Sequence, residues 1–244
     1  MTKATRKRHP WRRRLLTGCG LLALVFLLVT LLPVLLLRWL PPPTSAFMLG
    51  HWFEQQGQTQ AWTGHPRYQW VDWHDIAPAM RIAVVAAEDQ KFPRHNGFDV
   101  ASIRDAIRDH LRGGSLRGAS TISQQVAKNL FLCSQQSWLR KGLEAWFTLL
   151  IELSWPKQRI LEVYLNIAEF GPGIYGVEAA AREYHATSAA ALTPPQAALL
   201  ATVLPNPKYF DAAAPTDYML ERRDWILRHM RQLGGPAYVS DMSE

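Results

Sequence analysis

The apolar and polar residues divide the chain into one long apolar run and a series of shorter segments with helical spacing. Residues 15–37 are almost wholly apolar and contain no charged side chain. A helix of this length crosses a hydrocarbon core of roughly 30 Å at about 1.5 Å per residue. A secretory signal has a shorter apolar core and a small-residue cleavage site, so the run predicts an uncleaved membrane anchor.

The basic residues ahead of the anchor predict its orientation. Seven Lys and Arg residues and no acidic residue precede the apolar run. Because basic residues stay on the cytoplasmic side, we expect a cytoplasmic N-terminus with the bulk of the chain outside. Together with Arg38 they make up eight of the 27 basic residues, and the remainder nearly balances the 20 acidic ones. No basic stripe is left for a phosphate backbone, so no nucleic-acid partner is expected.

Beyond the anchor, the sequence has the periodicity of a mainly helical domain. A Pro-rich linker comes first, and Tyr68–Trp73 is either a short strand or an extended segment. Thr121 and Gln124 match a capping box, which predicts a helix from there to Phe131. A flexible loop is expected at Gly113–Gly118. Apolar periodicity, caps and stop signals predict further helices at residues 80–87, 100–111, 138–153, 156–170, 193–204 and 218–233.

Two acidic residues, Glu88 and Asp89, stand where the apolar segment 80–87 ends. Pro93 and Gly97 break regular structure shortly afterwards, so the carboxylates are expected at the mouth of a loop. The C-terminus of a helix carries the negative end of its dipole, which disfavours acids unless they have another purpose. On this segment alone, an ordinary polar helix end remains the alternative.

A second acid, Glu144, follows the cations Lys128, Arg140 and Lys141 in the sequence. Paired carboxylates in different environments suit sugar-transfer chemistry. A hydrolase needs an acid to protonate a poor leaving group, whereas Arg and Lys indicate an anionic leaving group such as a diphosphate. The alternative is that Arg140 and Glu144 form a surface i,i+4 pair, worth only about 0.3–0.5 kcal/mol.

Other catalytic motifs are absent from the sequence. The eight His residues have no metal-ligand spacing, and no GxSxG, P-loop or dinucleotide fingerprint occurs. Gln125, Lys128 and Asn129 fall at i, i+3 and i+4 of one predicted helix and therefore share a face. That face is either part of a site or a solvated stripe.

Five stretches, in order along the chain, resemble the signature blocks of the family 51 glycosyltransferases, the peptidoglycan polymerases. The first reads Glu-Asp-Gln-Lys-Phe-Pro-Arg-His-Asn-Gly, and the third reads Arg-Lys-Gly-Leu-Glu. The five blocks lie at residues 88–97, 118–130, 140–144, 157–180 and 192–207. With the anchor, and with no transpeptidase domain expected after Glu244, the chain resembles the monofunctional biosynthetic peptidoglycan transglycosylases.

The resemblance implies a mainly α (α+β), lysozyme-like fold with two lobes and a cleft between them. It also implies a single-pass protein of the bacterial inner membrane whose catalytic domain is periplasmic. The implied divisions are a basic cytoplasmic tail, a transmembrane anchor, a linker, a glycosyltransferase domain and a C-terminal tail, at residues 1–14, 15–38, 39–60, 61–235 and 236–244.

The implied substrate is lipid II, a disaccharide-pentapeptide on undecaprenyl diphosphate, which is polymerised into β-1,4-linked glycan. Glu88 would be the general base that takes the proton from the acceptor sugar's 4-hydroxyl. Lys128, Arg140 and Lys141 would hold the diphosphate, directly or with a divalent cation, Mg²⁺ or Mn²⁺, whose ligands are unknown. Glu144, the second catalytic residue, would orient these cations or the metal.

The resemblance implies further substrate-binding residues and partners. The residues expected to shape the cleft are Asp89, Phe92, His95, Thr121, Gln125 and Asn129. No organic cofactor is expected. The expected partners are lipid II, the growing glycan chain, the inner membrane and proteins of cell division or cell-wall synthesis. Residues that would either dip into the membrane interface or pack in the core are Phe131, Leu132, Trp138, Trp146 and Phe147.

Two other functions remain open at this point. A lytic muramidase of the lysozyme type would cleave glycan with an acid and would leave the cation cluster without a purpose. A non-catalytic membrane scaffold would need neither Glu88 nor Glu144, although both are present.

Overall fold

The computed structural model describes residues 10–56, 66–112, 120–133, 135, 137–240 and 242, in two compact units, Met1–Leu40 and Pro41–Glu244. The first unit contains helix α1, Pro10–Leu37. Its segment Thr17–Leu37 is 21 residues long and apolar enough to cross a membrane, which agrees with the predicted anchor. Within α1 the Thr30 hydroxyl donates to the Phe26 carbonyl at 2.8 Å, so this polar group is satisfied without water.

The second unit is mainly helical, as predicted. Its α-helices are α2 (Ala46–Gln56), α3 (Pro78–Glu88), α4 (Val100–Leu111), α5 (Ile122–Phe131), α6 (Trp138–Ser154), α7 (Lys157–Ile167), α8 (Val177–His185), α9 (Pro194–Val203), α10 (Asp217–Gln232) and α11 (Ala237–Ser240). Short 3₁₀ helices occur at Trp73–Asp75, Phe92–Arg94 and Ala189–Ala191.

Three short strands form one small sheet in the order β1–β3–β2. They are β1 (Arg67–Tyr68), β2 (Glu169–Gly171) and β3 (Ile174–Tyr175). β1 runs parallel to β3, with Arg67 opposite Ile174, and β2 runs antiparallel to β3. β1 therefore includes Tyr68, the first residue of the segment that was predicted as a short strand or an extended stretch.

Two groups of helices make up the core of this unit. α3, α9 and α10 pack on one another, and α5 packs against α2, α6 and α7. The central residues of α3, Ile82–Ala86, have no exposed surface, and α7 is buried from Ile160 to Ile167. Burial of this many apolar side chains holds both helices firmly, so side chains at their polar positions have fixed places.

Four elements differ from the prediction, namely α7, α2, α8 and α11. α7 ends at Ile167 and not at Phe170, because the following residues turn extended and pair as β2. The reason is tertiary: the buried side chain of Asn166 exchanges two 2.9 Å hydrogen bonds with the backbone of Val71. Gly176 has φ +83° and lies against the Asn166 carbonyl. A Cβ on Gly176 would lie 2.5 Å from the Asn166 carbonyl oxygen.

The second difference lies in the segment predicted as a linker, where α2 occupies residues 46–56. No helix was predicted at α8 or at α11 either. The other predicted helices begin and end within two residues of the observed ones. The loop predicted at Gly113–Gly118 lies outside the described residues.

Candidate active site

Glu88 is the last residue of α3, and the core holds it in place. Because the helix before it is buried, the end of α3 cannot shift without disturbing the packing. The Asp89 N–H still donates to the Val85 carbonyl at 3.0 Å, but its backbone leaves the helix with φ −158° and ψ 77°. The two carboxylates therefore stand where the buried helix ends, as the sequence predicts.

Asp89 points inward and fastens the loop that follows α3. Its Oδ2 accepts hydrogen bonds from the Ile122 N–H at 3.0 Å and from His95 Nε2 at 2.9 Å. The fully buried ring of Phe92 meets the His95 ring edge-on, with centroids 6.2 Å apart. These contacts tie the end of α3, the loop and the start of α5 together. The predicted contact of Asp89, Phe92 and His95 with substrate stays a prediction.

Thr121 begins α5 with the predicted capping box. Its Oγ1 accepts from the Gln124 N–H at 3.2 Å, while Gln124 Oε1 accepts from the Thr121 N–H at 3.0 Å. The Thr121 hydroxyl also donates to the Gly97 carbonyl at 2.6 Å. Gly97 has φ +84°, and a Cβ there would lie 2.8 Å from Thr148 Cγ2. The loop after Glu88 is therefore held from both sides.

The face of α5 that carries Gln125, Lys128 and Asn129 is partly buried and lines a cavity, so it is not a solvated stripe. Gln125 Nε2 donates to Glu88 Oε2 at 2.8 Å. The Lys128 ammonium lies 5.2 Å from the centroid of the Phe47 ring, within cation–π range. Asn129 Oδ1 is buried and has no hydrogen-bond partner among the described residues. An unsatisfied buried acceptor beside a cation is suited to a polar ligand.

Sequence reasoning missed Tyr164, which stands on α7 behind Gln125. Its side chain is 1% exposed, and its hydroxyl donates to Gln125 Oε1 at 3.0 Å. Burial raises the pKa of Tyr164 well above its usual range, and the negative charges of Glu88 and Asp89 add to this effect. The only signal in the sequence was a tyrosine within an apolar helical run, which is also typical of ordinary core packing.

Two cavities lie on either side of the Glu88–Gln125 contact. The first, of about 250 Å³, is polar, and the side chains that line it include Glu88, Asp89, Lys91, Asp99, Ser102 and Thr121. The second, of about 210 Å³, contains most of the α5 face, and its lining includes Gln125, Lys128, Asn129, Tyr164, Glu169 and Lys208. Glu88 thus borders one cavity and Lys128 borders the other, and the Gln125 amide that contacts Glu88 belongs to the lining of the second.

Glu144 is buried, with 3% of its surface exposed. Arg140 Nη1 donates to its Oε2 at 2.9 Å, and Lys141 Nζ contacts its Oε1. The i,i+4 pair of Arg140 and Glu144 is therefore present, but it is largely buried and does not lie on the surface. Ser137 caps α6 by accepting from the Arg140 N–H at 3.1 Å, which fixes the turn that carries the cations. Arg140 Nε has no partner among the described residues, and Lys141 is 48% exposed, so both keep donors for an anion.

The electrostatic environment of Glu88 opposes its ionisation. Burial raises the pKa of Glu88, and the neighbouring charge of Asp89 reinforces the rise. The hydrogen bond from Gln125 and the positive charges of Arg222 and Lys128 oppose it. A carboxylate whose pKa is raised toward neutrality is a stronger base than an ordinary glutamate.

Arg222, on α10, was also missed by sequence reasoning. Its Nη2 donates to the Ala87 carbonyl at 3.2 Å, at the C-terminal end of α3. The guanidinium carbon lies 4.0 Å from the centroid of the Trp225 ring, which holds it against α10. A cation at this end of a helix opposes the negative end of the dipole, where Glu88 would otherwise be disfavoured.

Lys128 connects the two acids electrostatically. Burial lowers the pKa of Lys128, and the positive charges of Arg140 and Lys141 act in the same direction. The negative charges of Glu144 and Glu88 oppose that shift. A further anion near these three cations would relieve their mutual repulsion, which is the electrostatic condition for binding a diphosphate.

The side chains present do not form a metal site by themselves. Within the described part of the chain, no group of three or more His, Cys, Asp or Glu side chains could hold a metal ion. Both oxygens of Glu144 are engaged by Arg140 and Lys141. Magnesium is commonly bound by one or two carboxylates together with substrate phosphates, so protein ligands alone do not fit the expected cation.

The unit thus contains a carboxylate with a raised pKa, three cations that influence one another, and a second carboxylate paired with two of them. Such a set of groups suits group transfer from an anionic leaving group. The family model described as Transglycosylase matches residues 56–231. The chain belongs to the transglycosylase family.

Several curated relatives are similar over nearly their whole length. The biosynthetic peptidoglycan transglycosylase of Xanthomonas oryzae pv. oryzae is 53% identical over 230 residues, which is 94% of each chain. The protein of the same name from Xanthomonas campestris pv. campestris (strain B100) is 55% identical over 217 residues, covering 88% of this chain and 87% of the relative. That of Xylella fastidiosa (strain M12) is 52% identical over 233 residues, with 96% and 94% covered.

Proposed function

We propose that this transglycosylase is a peptidoglycan glycosyltransferase that polymerises lipid II into β-1,4-linked glycan strands and releases undecaprenyl diphosphate. The observation that carries the proposal is the position of Glu88, which borders a polar cavity and lies one amide away from the cavity of Lys128. The names of the relatives, which refer to peptidoglycan, support the choice of substrate.

Glu88 is the general base of the proposed reaction. It takes the proton of the acceptor sugar's 4-hydroxyl as that oxygen attacks C1 of the donor. The new C1–O4 bond forms while the bond from C1 to the diphosphate breaks, which inverts the anomeric centre. The electron pair leaves with the diphosphate, and the proton passes from Glu88 to solvent. The raised pKa of Glu88 suits this role.

The hydrogen bond from Gln125 favours a base over an acid. Gln125 Nε2 is a donor directed at Glu88 Oε2, and a donor stabilises the ionised form of a carboxylate. A hydrolase of the lysozyme type instead needs a protonated carboxyl group that can protonate the leaving oxygen. An anionic leaving group already held by cations needs no such proton.

Lys128, Arg140 and Lys141 hold the diphosphate in this proposal, and Glu144 keeps two of them in place. The buried carboxylate of Glu144 contacts both Arg140 and Lys141, so their side chains need not be ordered when the substrate binds. A divalent cation enters the proposal only as a companion of the diphosphate, with oxygen ligands from the substrate. The reaction derived above contains no step through it.

The proposal places the N-terminus in the cytoplasm and the catalytic domain in the periplasm, with α1 in the inner membrane. The apolar segment Thr17–Leu37 and the basic residues before it support this arrangement. A polyprenyl substrate stays in the bilayer, so a membrane anchor keeps enzyme and substrate on the same surface. Contacts with other proteins of cell division or cell-wall synthesis are also part of the proposal.

Two incubations test synthesis against lysis. The full chain in detergent micelles is given lipid II in one incubation and purified sacculi in the other, each with and without a chelator. We expect consumption of lipid II, a glycan polymer that muramidase digests, and no soluble muropeptides from sacculi. Release of muropeptides without polymer would overturn the proposal in favour of the lytic alternative. If the chelator leaves the rate of polymerisation unchanged, the reaction needs no divalent cation.

A further inference from the structure

The buried hydroxyl of Tyr164 connects α7 with Gln125 on α5. Tyr164 lies in the middle of α7 and is 1% exposed, and it lines the cavity that contains Lys128 and Asn129. Its hydroxyl donates to Gln125 Oε1 at 3.0 Å. A buried phenol without an acceptor is unfavourable, and the raised pKa of Tyr164 keeps the proton on the oxygen. The hydroxyl is therefore a permanent donor aimed at Gln125.

This donor determines the orientation of the Gln125 side-chain amide. An amide has one acceptor oxygen and one donor nitrogen. When Oε1 accepts from Tyr164, Nε2 faces Glu88 Oε2 at 2.8 Å. A flipped amide would bring Oε1 against the carboxylate. The Tyr164 oxygen could then accept from Nε2, but the Tyr164 proton would lose its acceptor. The flipped state is therefore unfavourable at both ends of the amide, and Tyr164 supports the orientation in which Gln125 donates to Glu88.

We propose that Tyr164 is a positioning residue that fixes the Gln125 amide so that it donates to the Glu88 carboxylate. The proposal rests on the proposed function, because it requires that Glu88 is the base. Tyr164 acts through Gln125, and its effect should disappear when Gln125 is removed.

Other groups also act on Glu88, and each comes from a different element. Asp89 follows it at the end of α3, Lys128 faces it from α5, and Arg222 faces it from α10. All three carry charge, whereas Tyr164 is neutral. Removing the Tyr164 hydroxyl therefore changes the hydrogen bonding of Glu88 and leaves the charges around it unchanged.

The sign of the effect follows from the role of the base. Activity falls as the pH drops through the pKa of Glu88, because the protonated carboxyl cannot accept a proton. Loss of a donor to the carboxylate raises that pKa further. Tyr164→Phe should therefore move the acidic limb of the pH–rate profile upward by roughly half to one pH unit, the size expected for one hydrogen bond.

The experiment measures initial rates of lipid II polymerisation by the full chain between pH 5 and pH 9. For Tyr164→Phe we expect a rate roughly 3–10-fold below wild type on the acidic limb, a near-normal rate on the alkaline plateau and an unchanged KM. Gln125→Met should move the limb in the same direction. The double variant should shift no further than Gln125→Met alone, because the two residues act in series.

The matched control is Tyr184→Phe. Its hydroxyl is half-buried, whereas that of Tyr164 is fully buried, and it donates to a backbone carbonyl, that of Phe170, at 3.3 Å. Within the described part of the chain it has no hydrogen bond to Gln125 or Glu88. Its acidic limb should coincide with that of the wild type.

Three results would overturn the inference. One is a Tyr164→Phe limb that coincides with the wild type. Another is an equal loss of rate at every pH, which indicates a merely structural role. The third is a further shift when Tyr164→Phe is added to Gln125→Met. If Tyr164→Phe does not fold, as judged by the absence of a thermal unfolding transition, Gln125→Met provides the test. An acidic limb of Gln125→Met that coincides with that of the wild type would then overturn the inference. Failure of the proposed function is distinguishable, because Glu88→Gln would then polymerise lipid II normally.

Discussion

Glu88 and Glu144 are two glutamates of the same unit, but their surroundings are opposite. Glu88 ends α3, accepts a hydrogen bond from the neutral amide of Gln125, and has a pKa raised by burial. Glu144 lies within α6, and each of its oxygens contacts a cation, Arg140 on one side and Lys141 on the other. Among the residues that the structure describes, the first carboxylate has no direct ionic partner, and the second has two.

The difference assigns the two acids different tasks. A base must exchange a proton within each turnover, so it cannot be tied to a permanent cation. A residue that organises cations must be tied to them, so its oxygens cannot also serve a reacting hydroxyl. The same side chain thus performs two tasks because the neighbouring residues differ, as expected for carboxylates in separate environments. Three substitutions test whether this division holds.

Glu88→Gln should have the largest effect. The isosteric amide cannot take the acceptor proton, so we expect kcat to fall about 10²–10⁴-fold with lipid II binding retained. Because the folded pKa of Glu88 is raised above its unfolded value, ionisation of Glu88 disfavours the folded state near pH 7. The melting temperature should therefore stay the same or rise. Initial rates and thermal unfolding at pH 7 measure both effects.

Asp105→Asn is the control for this change, because Asp105 is an exposed acid paired with Arg108 on α4. It should leave rate and stability unchanged. A wild-type rate in Glu88→Gln, or a marked loss of its stability, would contradict the assignment of Glu88 as the base.

Glu144→Gln should have a smaller effect on rate and the opposite effect on stability. It leaves Arg140 and Lys141 without their shared anion, and a broken buried pair is strongly unfavourable. Since Lys141 is 48% exposed and solvent screens it, we expect a loss of about 1–3 kcal/mol in the free energy of unfolding. The cations are then poorly placed, and KM for lipid II should rise roughly 10-fold or more.

Glu152→Gln is the matched control on the same helix. Glu152 is a buried acid paired with Lys157 at 2.7 Å, outside the cation cluster. Its loss should lower stability in a similar way and leave KM unchanged. Equal KM values in Glu144→Gln and Glu152→Gln would show that Glu144 has no special relation to the substrate.

The sequence predicted those features of Glu88 and Glu144 that depend on residues close to them in the chain. The end of α3 at Glu88 follows from the end of an apolar run, and the start of α5 follows from the Thr121 capping box. Arg140 and Glu144 are one helical turn apart, so their pairing was open to prediction, although their burial was not. That burial depends on packing between α5 and α6.

The contacts that set the state of Glu88 could not be predicted in the same way. Gln125 is 37 residues from Glu88, and Tyr164 is 39 residues from Gln125. Arg222 reaches Ala87 across 135 residues. Nothing in the local sequence of α7 or α10 indicates which α3 atom their polar side chains meet. The same reason explains the end of α7, where Asn166 bonds to Val71, 95 residues away.

Arg222→Gln should have the smallest effect of the three substitutions, and it tests whether distant charge helps to keep Glu88 ionised. Arg222 opposes the rise in the pKa of Glu88, so its loss should move the acidic limb upward by about a few tenths of a pH unit, through partly screened charge. Arg223→Gln removes the same charge from the next residue, where Asp224 pairs with it at 2.7 Å, and should leave the limb unchanged. Equal limbs in both variants would mean that Arg222 has no part in the difference between Glu88 and Glu144, which would then rest on burial, the Gln125 hydrogen bond and the nearer charges.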